Sequence, residues 1–421
     1  MNQRTQTLIA VAIALVAVSI AWLTRPSPID DARFALIGQP IAPELTDPAQ
    51  VASLEVIAYD EESARHLAFK VAFDGQRWLI ASASDYPADA AAKIAEAASA
   101  FVGLERESIV TDRKIDHASL GLVDPADESG DPAGRGVRVT IRDASGRTLA
   151  DLIVGHETDE IGRINQRYIR EADSDRAYRT TFQSGLASAL SINLVDWIDT
   201  DLLRVTAEAI TQIRLDAYSV DEAKGHRTTG ERFQIARSST DNGWIFEPGG
   251  AIADRHASTR FATDLAGLRI DGVVLKPTPL ASLLAGEQSN ATLDAEDLQR
   301  MARSGFFLSQ DGHLIANAGE VRFDTSRGLR YTLWFGEILA RTNAGGAIFE
   351  SGRDSGMDDQ IPGSRAMLVT VEAIDQQDAN AAETAQMLSK KYADWWYLID
   401  ETTFISLHPD ATSLMPVGQP E

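Results

Sequence analysis

The sequence predicts an α+β protein: an N-terminal transmembrane helix followed by two tandem copies of a unit that combines an antiparallel sheet with a helix. Three observations predict this class. An uncharged apolar run occupies Leu8–Leu23. Short segments with alternating apolar residues, separated by turn signals, follow it. The same order of segments then begins again near Ala209.

The apolar run is typical of a membrane anchor. It lies between Arg4 and Arg25, and its length is at the short end of the ~20 residues that a helix needs to cross a hydrocarbon core of ~30 Å. Trp22 near the second arginine suits a membrane interface. Because positive charge is retained inside, Arg4 predicts a cytoplasmic N-terminus, with the body on the other side of the membrane. Residues 1–25 are therefore predicted to be a single-pass anchor in the lipid bilayer.

Two other interpretations of this run stay open. Ser19 and Ala21 place small residues two apart, which also suits a signal peptide that is cleaved. A buried helix of a soluble protein is the third interpretation. An anchor and a signal peptide would both place residues 26–421 across the membrane.

Composition excludes several classes of function. The 421 residues carry a net charge of -23 at pH 7, and such a surface repels nucleic acid, so we expect no nucleic-acid partner. A hydrophobic content of 44% supports sizeable cores. The absence of cysteine excludes disulfides, thiol catalysis and cysteine-ligated metal sites.

The first α+β unit is predicted over residues 51–205, after a Pro-rich linker over residues 26–50. Asp74-Gly75 between two apolar segments indicates a hairpin. The predicted strands of this unit cover residues 51–59, 67–73, 78–80, 109–110, 136–142, 148–155, 167–170 and 177–180.

A helix is predicted to cross one face of this sheet. Asp85 is suited to cap its start and Pro87 to occupy its first turn. Its apolar face would consist of Ile94, Ala97, Ala98 and Phe101, and Gly103 would end it. A second, mostly helical stretch is predicted over residues 182–203.

The second unit is predicted over residues 206–421 because the segments recur in the same order. Ile210–Leu215 restates Leu54–Ile57, Trp244–Phe246 restates Trp78–Ile80, and the helical segment 258–268 restates the first helix. The later matches pair residues 265–274 with 101–110, 302–306 with 118–122, 321–336 with 139–155, 366–373 with 166–172, and 396–404 with 177–182. The second unit adds an insertion at 276–297, a Gly/Asp/Ser-rich loop at 340–365 and a helix at 377–394.

The order of these motifs resembles the DUF4340 family. The motifs are Trp78–Ile80, Asp85–Asp89, a helix, Ile109-Val110, Leu120–Leu122 and Leu152–Gly155 with a strand near Tyr168. The resemblance implies a bacterial membrane-anchored protein of undefined biochemistry, often encoded beside components of ABC-type exporters, including those related to gliding motility. Its motifs describe core and turns, so it implies no catalytic residue.

The sequence shows no catalytic or cofactor motif. The seven histidines include no pair at helical metal-ligand spacing, and no phosphate-binding or nucleophile motif follows a strand. We therefore expect no enzyme, no catalytic residue, no cofactor and no metal. The nearest approach to an acid–base pair is His156 beside Glu157, with Glu337 at the matching place in the second unit.

Two groups of residues are candidates for binding. Asp354, Asp358 and Asp359 form a weak acidic cluster in the loop 340–365 that suits Ca²⁺, although a solvated acidic loop explains them as well. Trp395, Trp396 and Tyr397 form the densest aromatic run. Because strand residues alternate, Trp395 and Tyr397 would lie on one face and Trp396 on the other. One face would be core, and the other is a candidate for contact with a partner.

These observations predict a non-enzymatic, membrane-anchored accessory or binding protein whose partner is a membrane complex, and the family resemblance implies that this complex is an ABC-type exporter. A module that binds a cell-envelope polymer or a secreted ligand is the alternative, with the loop 340–365 as its site. An enzyme whose site is assembled only in three dimensions is the third hypothesis.

Overall fold

The protein is described by a computed structural model. The described residues are 14–16, 18–19, 34–61, 64–127, 132–158, 165–183, 185–221, 226–240, 243–286, 292–309, 313–341, 347–348 and 363–416. Most of the predicted transmembrane segment Leu8–Leu23 lies outside these ranges; residues 14–16 and 18–19 are helical. Within the described ranges, no helix is long and apolar enough to span a bilayer.

The first half of the chain forms one antiparallel sheet, as the alternation of apolar residues predicts. Its strand order is β4-β3-β2-β1-β6-β7-β8-β9-β5. The strands are β1 (Val51–Asp60), β2 (Arg65–Phe73), β3 (Trp78–Ile80), β4 (Tyr86–Pro87), β5 (Ser108–Thr111), β6 (Val137–Asp143), β7 (Thr148–Glu157), β8 (Gln166–Glu171) and β9 (Ala177–Thr181). The helices of this half are α1 (Ala91–Ser99), α2 (His117–Leu120) and α3 (Leu186–Ala189).

The second half forms another antiparallel sheet, in the order β12-β11-β10-β16-β17-β19-β20-β13, with β18 against β17. A separate hairpin consists of β14 and β15. The strands are β10 (Ile210–Asp221), β11 (His226–Arg237), β12 (Trp244–Phe246), β13 (Gly272–Leu275), β14 (Phe306–Leu308), β15 (Leu314–Ala316), β16 (Glu320–Thr325), β17 (Leu329–Arg341), β18 (Ala347–Ile348), β19 (Ser364–Ala373) and β20 (Trp395–Ile399). The helices are α4 (Arg255–Ala266), α5 (Thr278–Leu284), α6 (Ala295–Arg303), α7 (Ala379–Ala393) and α8 (Glu401–Ser406). The predicted α+β class with antiparallel sheets is confirmed.

The two sheets share a buried core. One continuous cluster of apolar side chains includes Phe69 and Phe101 of the first half, Trp197 of the connecting segment, and Trp244 and Tyr392 of the second half. The connecting segment crosses between the sheets in irregular conformation, with α3 and a 3₁₀ turn at Leu194–Asp196. The prediction of a mostly helical stretch over 182–203 is therefore wrong, because this segment buries side chains on two sides instead of one helical face.

The start of the first helix also differs from the prediction. Asp85 lies in the left-handed region with a φ of 64°, and Tyr86 and Pro87 pair with β3 as strand β4. Helix α1 begins only at Ala91, without a side-chain cap. The residues that were predicted to begin the helix therefore pair at the edge of the sheet instead. The predicted apolar face is confirmed, since Ile94, Ala97, Ala98 and Phe101 are all buried.

The linker 26–50 and the last predicted strand also end at other residues than predicted. The second half of the predicted linker 26–50 packs on the first sheet, where Ile41, Ala42 and Leu45 are buried and the Ile41 N–H donates to the Leu104 carbonyl at 2.7 Å. The last strand, predicted over 396–404, ends at Ile399. Asp400 then caps α8 by accepting a hydrogen bond from the backbone N–H of Thr403 at 2.8 Å.

Candidate functional site

A cleft of about 390 Å³ lies where the two halves of the chain meet. Three separate stretches build it: residues 86–89 at the edge strand β4, residues 199–204 of the connecting segment, and residues 391–397 at the junction of α7 and β20. Ligand sites occur preferentially at such junctions between structural units. The cleft is therefore the candidate binding site.

Aromatic side chains form the floor of the cleft. Tyr86 from the first half meets Trp395 from the second edge to face, with ring centroids 5.0 Å apart. Tyr397 lies beside them and is almost fully buried. Burial, with the charge of Asp199 nearby, raises the pKa of Tyr86 to about 12, and burial raises the pKa of Tyr397 well above its usual value. The hydroxyls therefore stay protonated at neutral pH and present neutral polar groups.

The rim of the cleft is charged. The Arg204 guanidinium pairs with the Asp199 carboxylate, with Nε donating at 2.9 Å, and the backbone N–H of Arg204 donates to the Asp201 carboxylate at 3.1 Å. The Lys391 ammonium reaches the Leu202 carbonyl at 3.4 Å. Arg204 has a φ of 50°, a conformation that L-residues seldom adopt. Loop geometry and charge pairing therefore hold the rim together.

Burial and charge shift the pKa values of the rim groups. Burial acts to raise the pKa of Asp199, but the hydrogen bond from Arg204 and the backbone N–H of Asp201 outweigh it, so the pKa is lowered overall. Burial lowers the pKa of Lys391, and the positive charge of Arg204 adds to this effect. The carboxylate is thus held ionised, whereas the ammonium lies where protonation is less favourable than in water.

This arrangement is suited to binding. The lining residues offer an apolar floor, hydroxyl donors, carboxylate acceptors and two cationic donors. The lining includes no Ser, Thr, Cys or His, so it presents no nucleophile–base pair of the usual kind. In the described part of the chain, no cluster of three or more His, Cys, Asp or Glu side chains is placed to hold a metal ion.

The structure divides the predicted aromatic run between two places. Trp395 and Tyr397 face the cleft, as alternation predicts for one face of the strand. Trp396 points to the other side of the sheet, where its ring stacks on Phe306 with centroids 6.0 Å apart. All three side chains are buried: Trp395 and Tyr397 belong to the core between the sheets, and Trp396 is enclosed by side chains that include Leu280 and Met301. Contact of this run with a partner stays a prediction, and the cleft is the place where Trp395 and Tyr397 could make it.

The other candidates are not brought together with the cleft. Asp354, Asp358 and Asp359 lie outside the described residues. Glu157 pairs with Arg167 at 2.7 Å, while the adjacent His156 lies against Gly121, where a Cβ atom would come within 2.5 Å of the imidazole ring. Glu337 accepts a hydrogen bond from the Asn317 amide at 2.7 Å.

Apart from Trp395 and Tyr397, the lining residues of the cleft were not predicted as site residues, among them Tyr86, Asp199, Arg204 and Lys391. Tyr86 was assigned to a helix start and Asp199 to the helical stretch 182–203, and Arg204 directly follows that stretch. Lys391 belongs to α7, whose position against the first half depends on long-range packing: the hydroxyl of its neighbour Tyr392 donates to the Leu202 carbonyl at 3.0 Å. The closely spaced Asp199 and Asp201, between the apolar residues Ile198 and Leu202, were a weak local signal.

Comparison with known proteins identifies the family. A search of curated proteins and a search of solved structures each found no match. The model of a domain of unknown function, DUF4340, matches residues 78–299, which is more than half of the chain. The match begins at β3 and ends within α6, so it includes the connecting segment, part of the cleft and the junction between the sheets. The chain belongs to the DUF4340 family.

Proposed function

We propose that this protein is a non-enzymatic accessory protein of an ABC-type export complex, held at the bacterial inner membrane by residues 8–23 with its body in the periplasm. The cleft between the two halves carries the binding part of this proposal. Its aromatic floor and paired charges resemble the core and rim of a recognition site. The uncharged run Leu8–Leu23 supports the location.

Site-specific photo-crosslinking tests the partner. A photoreactive residue replaces Arg204, which is well exposed at the rim with 69% of its side chain accessible. Membranes of producing cells are then irradiated and the adducts identified by mass spectrometry. We expect a transporter subunit crosslinked from position 204 but not from the exposed control position Lys114. Equal adducts from both positions, or no transporter subunit together with normal export after gene deletion, would count against the proposal.

The membrane segment has its own test. Mass determination of the mature N-terminus distinguishes an anchor from a cleaved signal peptide. Replacing residues 1–25 with a cleavable signal should weaken function at native expression, because the anchor keeps the binding surface close to its partner. Full function of the released body would show that tethering is unnecessary.

A module that binds a cell-envelope polymer or a secreted ligand is the second candidate. The mixture of aromatic floor and polar rim in the cleft favours it. Trp395 provides a fluorescence signal for titration with peptidoglycan fragments, with Asp199→Asn as the rim variant. Deletion of residues 343–362 tests the loop separately. Binding that survives both changes would contradict this candidate.

We also propose that the two halves are copies of one unit, with boundaries at 51–205 and 206–421. Support comes from the strand order, which is the same in both sheets apart from the added edge strand β4 and the short β18. Fragments 26–205 and 206–421, produced together, should reassemble into a soluble pair. If the two fragments do not associate when they are produced together, the proposed boundaries of the units are contradicted.

A further inference from the structure

A small polar notch of about 110 Å³ lies on the second sheet. Its lining comes from the four adjacent strands β11, β10, β16 and β17 and shares no residue with the cleft. The lining residues are Gln212, Arg214, Gln234, Arg322, Asp324 and Arg330. Three arginines and one carboxylate line this notch, so its lining is net positive in a chain with a net charge of -23.

Strand register places two of these arginines face to face. Arg214 on β10 lies directly opposite Arg322 on β16 and, on its other side, opposite Gln234 on β11. Residues directly opposite in an antiparallel pair have Cβ atoms about 5 Å apart, and like charges in such pairs are destabilising. The two guanidiniums therefore repel each other unless a negative group lies between or beside them.

The nearby carboxylates only partly compensate this charge. Asp324 is held by Arg330 through two hydrogen bonds of 2.7 and 2.8 Å. Asp216 is paired with Arg232 at 2.9 Å and Arg227 at 3.1 Å. Glu320 is then the remaining nearby carboxylate that can neutralise Arg214 and Arg322. Its carboxylate oxygen lies 3.4 Å from the Arg322 guanidinium, which is a long contact for an ion pair.

Both facing arginines keep unused donors. The Nε of Arg322 is buried and has no hydrogen-bond acceptor among the described residues. Arg214 attracts Glu320 electrostatically, and no described group accepts a hydrogen bond from its guanidinium. A buried donor without an acceptor is destabilising, so an anion that accepts from both side chains would be favoured here.

We propose that Arg214 and Arg322, with the side-chain amides of Gln212 and Gln234, bind one phosphate-like oxyanion. A tetrahedral oxyanion has enough acceptor oxygens to bridge two guanidiniums, which donate in forked pairs that match phosphate geometry. The volume of about 110 Å³ is large enough for one such group. The anion is a free phosphate or a phosphate monoester displayed by a lipid headgroup.

Isothermal titration of the full chain in detergent tests the site, with potassium phosphate compared against potassium chloride at equal ionic strength. We expect phosphate binding that Arg214→Gln and Arg322→Gln each weaken at least tenfold. Arg322→Lys retains the charge but loses the fork, so intermediate binding is expected. Arg142→Gln on the first sheet is the matched control and should change the affinity less than twofold.

Circular dichroism checks that each variant is folded, and Arg322→Lys keeps the test informative if a glutamine variant unfolds. Vesicles containing phosphatidic acid, compared with neutral vesicles, identify the source: binding that the same variants abolish assigns a lipid phosphate, and binding of inorganic phosphate alone assigns a soluble one. The proposal is overturned if chloride gives the same response as phosphate, or if phosphate binding survives in both glutamine variants.

Discussion

The two sheets have similar inner faces but differ in how charged side chains are arranged on their outer faces. On the inner faces, Leu54 lies opposite Ile141 in the first sheet and Ile213 lies opposite Phe323 at the corresponding place in the second; all four are buried. The outer residue next in sequence is Glu55 in the first sheet and Arg214 in the second. Packing thus limits the inner positions to apolar residues, whereas the outer positions are free to differ.

The neighbours of these two residues also differ. Glu55 lies opposite Thr140 and accepts a hydrogen bond from Arg142 at 3.1 Å. Arg214 lies opposite Arg322, and the position of the second sheet that corresponds to Arg142 is occupied by Asp324. The first outer face is therefore a set of closed ion pairs, while the second leaves an arginine pair open. Two sheets with the same strand order can therefore present different binding surfaces.

The outer faces also differ in how they are covered. In the second sheet, α5, α6 and the hairpin β14–β15 enclose a second apolar core around Trp396. In the first sheet, Ala177 takes the corresponding place in the strand pairing, within a smaller cluster that includes Leu122 and Ile153. Four predictions test how far these differences determine stability.

The largest effect is expected from Trp396→Ala. Removing a fully buried indole that stacks on Phe306 should lower the free energy of unfolding by about 3–5 kcal/mol, because it leaves a cavity between the sheet and its cover. Ala177→Gly in the first sheet should cost only about 1 kcal/mol. Urea unfolding measures both, and equal losses would remove this distinction between the outer faces.

A pH-dependent difference is expected at Lys276, just after β13. Its ammonium is buried and donates to the Tyr392 carbonyl at 3.0 Å near the end of α7. Burial lowers its pKa from 10.5 to about 7, although Asp394 acts in the opposite direction. Between these two values the unfolded chain binds more protons, so stability should rise with pH, by about 2 kcal/mol from pH 7 to pH 9.

Lys276→Met should abolish this rise, as measured by urea midpoints across the pH range. The corresponding position of the first sheet, Asp112, is on the surface and pairs with Arg176, so Asp112→Asn serves as the control and should leave the rise in place. An unchanged slope in Lys276→Met would show that another group causes it.

His408 gives the second half an acid sensitivity. Its Nδ1–H donates to the Phe404 carbonyl at 2.9 Å, and its ring lies against Phe335 and Phe404. Burial lowers its pKa from 6.5 to about 4, so the unfolded chain binds more protons between these values. Stability should therefore fall as pH falls, by about 1.5 kcal/mol from pH 6.5 to pH 5.

His408→Phe should reduce this loss in acid unfolding curves, whereas His66→Asn, at an exposed position of the first sheet, should not. The same acid dependence in wild type and His408→Phe would assign the effect to other groups.

The smallest changes in stability are expected from single arginine substitutions on the two outer faces, and they compare these faces most directly. Arg142→Gln breaks a closed, partly exposed ion pair and should lower the free energy of unfolding by about 0.5 kcal/mol. Arg214→Gln removes a repulsion with Arg322 and should leave stability unchanged or raise it by a similar amount in phosphate-free buffer. Thermal unfolding at low salt measures the difference, and a larger loss from Arg214→Gln than from Arg142→Gln would contradict the assignment of an open arginine pair.

Much of the strand pattern could be predicted from local sequence. Residues such as Leu54, Val56, Phe69 and Val71 alternate with polar neighbours, and the structure buries all four. The hairpin at Asp74 was also predictable, since its carboxylate accepts hydrogen bonds from the N–H groups of Gln76 and Arg77. Apolar alternation and turn chemistry both involve only a few neighbouring residues, so they can be recognised without knowledge of the fold.

The candidate cleft could not be predicted in the same way. Tyr86 and Trp395 are far apart in sequence, and their contact depends on how the connecting segment packs through Trp197 and Leu202. Local pattern even misled at Asp85, where pairing at the edge of the sheet outweighs helix-start preference. Sites that depend on long-range packing leave only weak traces in the local sequence.

By itself, the sequence determined the class of fold, the positions of most strands, the family resemblance and the burial of the helix face from Ile94 to Phe101. Only the tertiary structure decided that Trp396 is enclosed, that Tyr86 and Trp395 share a cleft, and that Arg214 faces Arg322. The reason is physical: hydrophobic period and turn chemistry act between near neighbours, whereas register and the docking of insertions bring distant residues together.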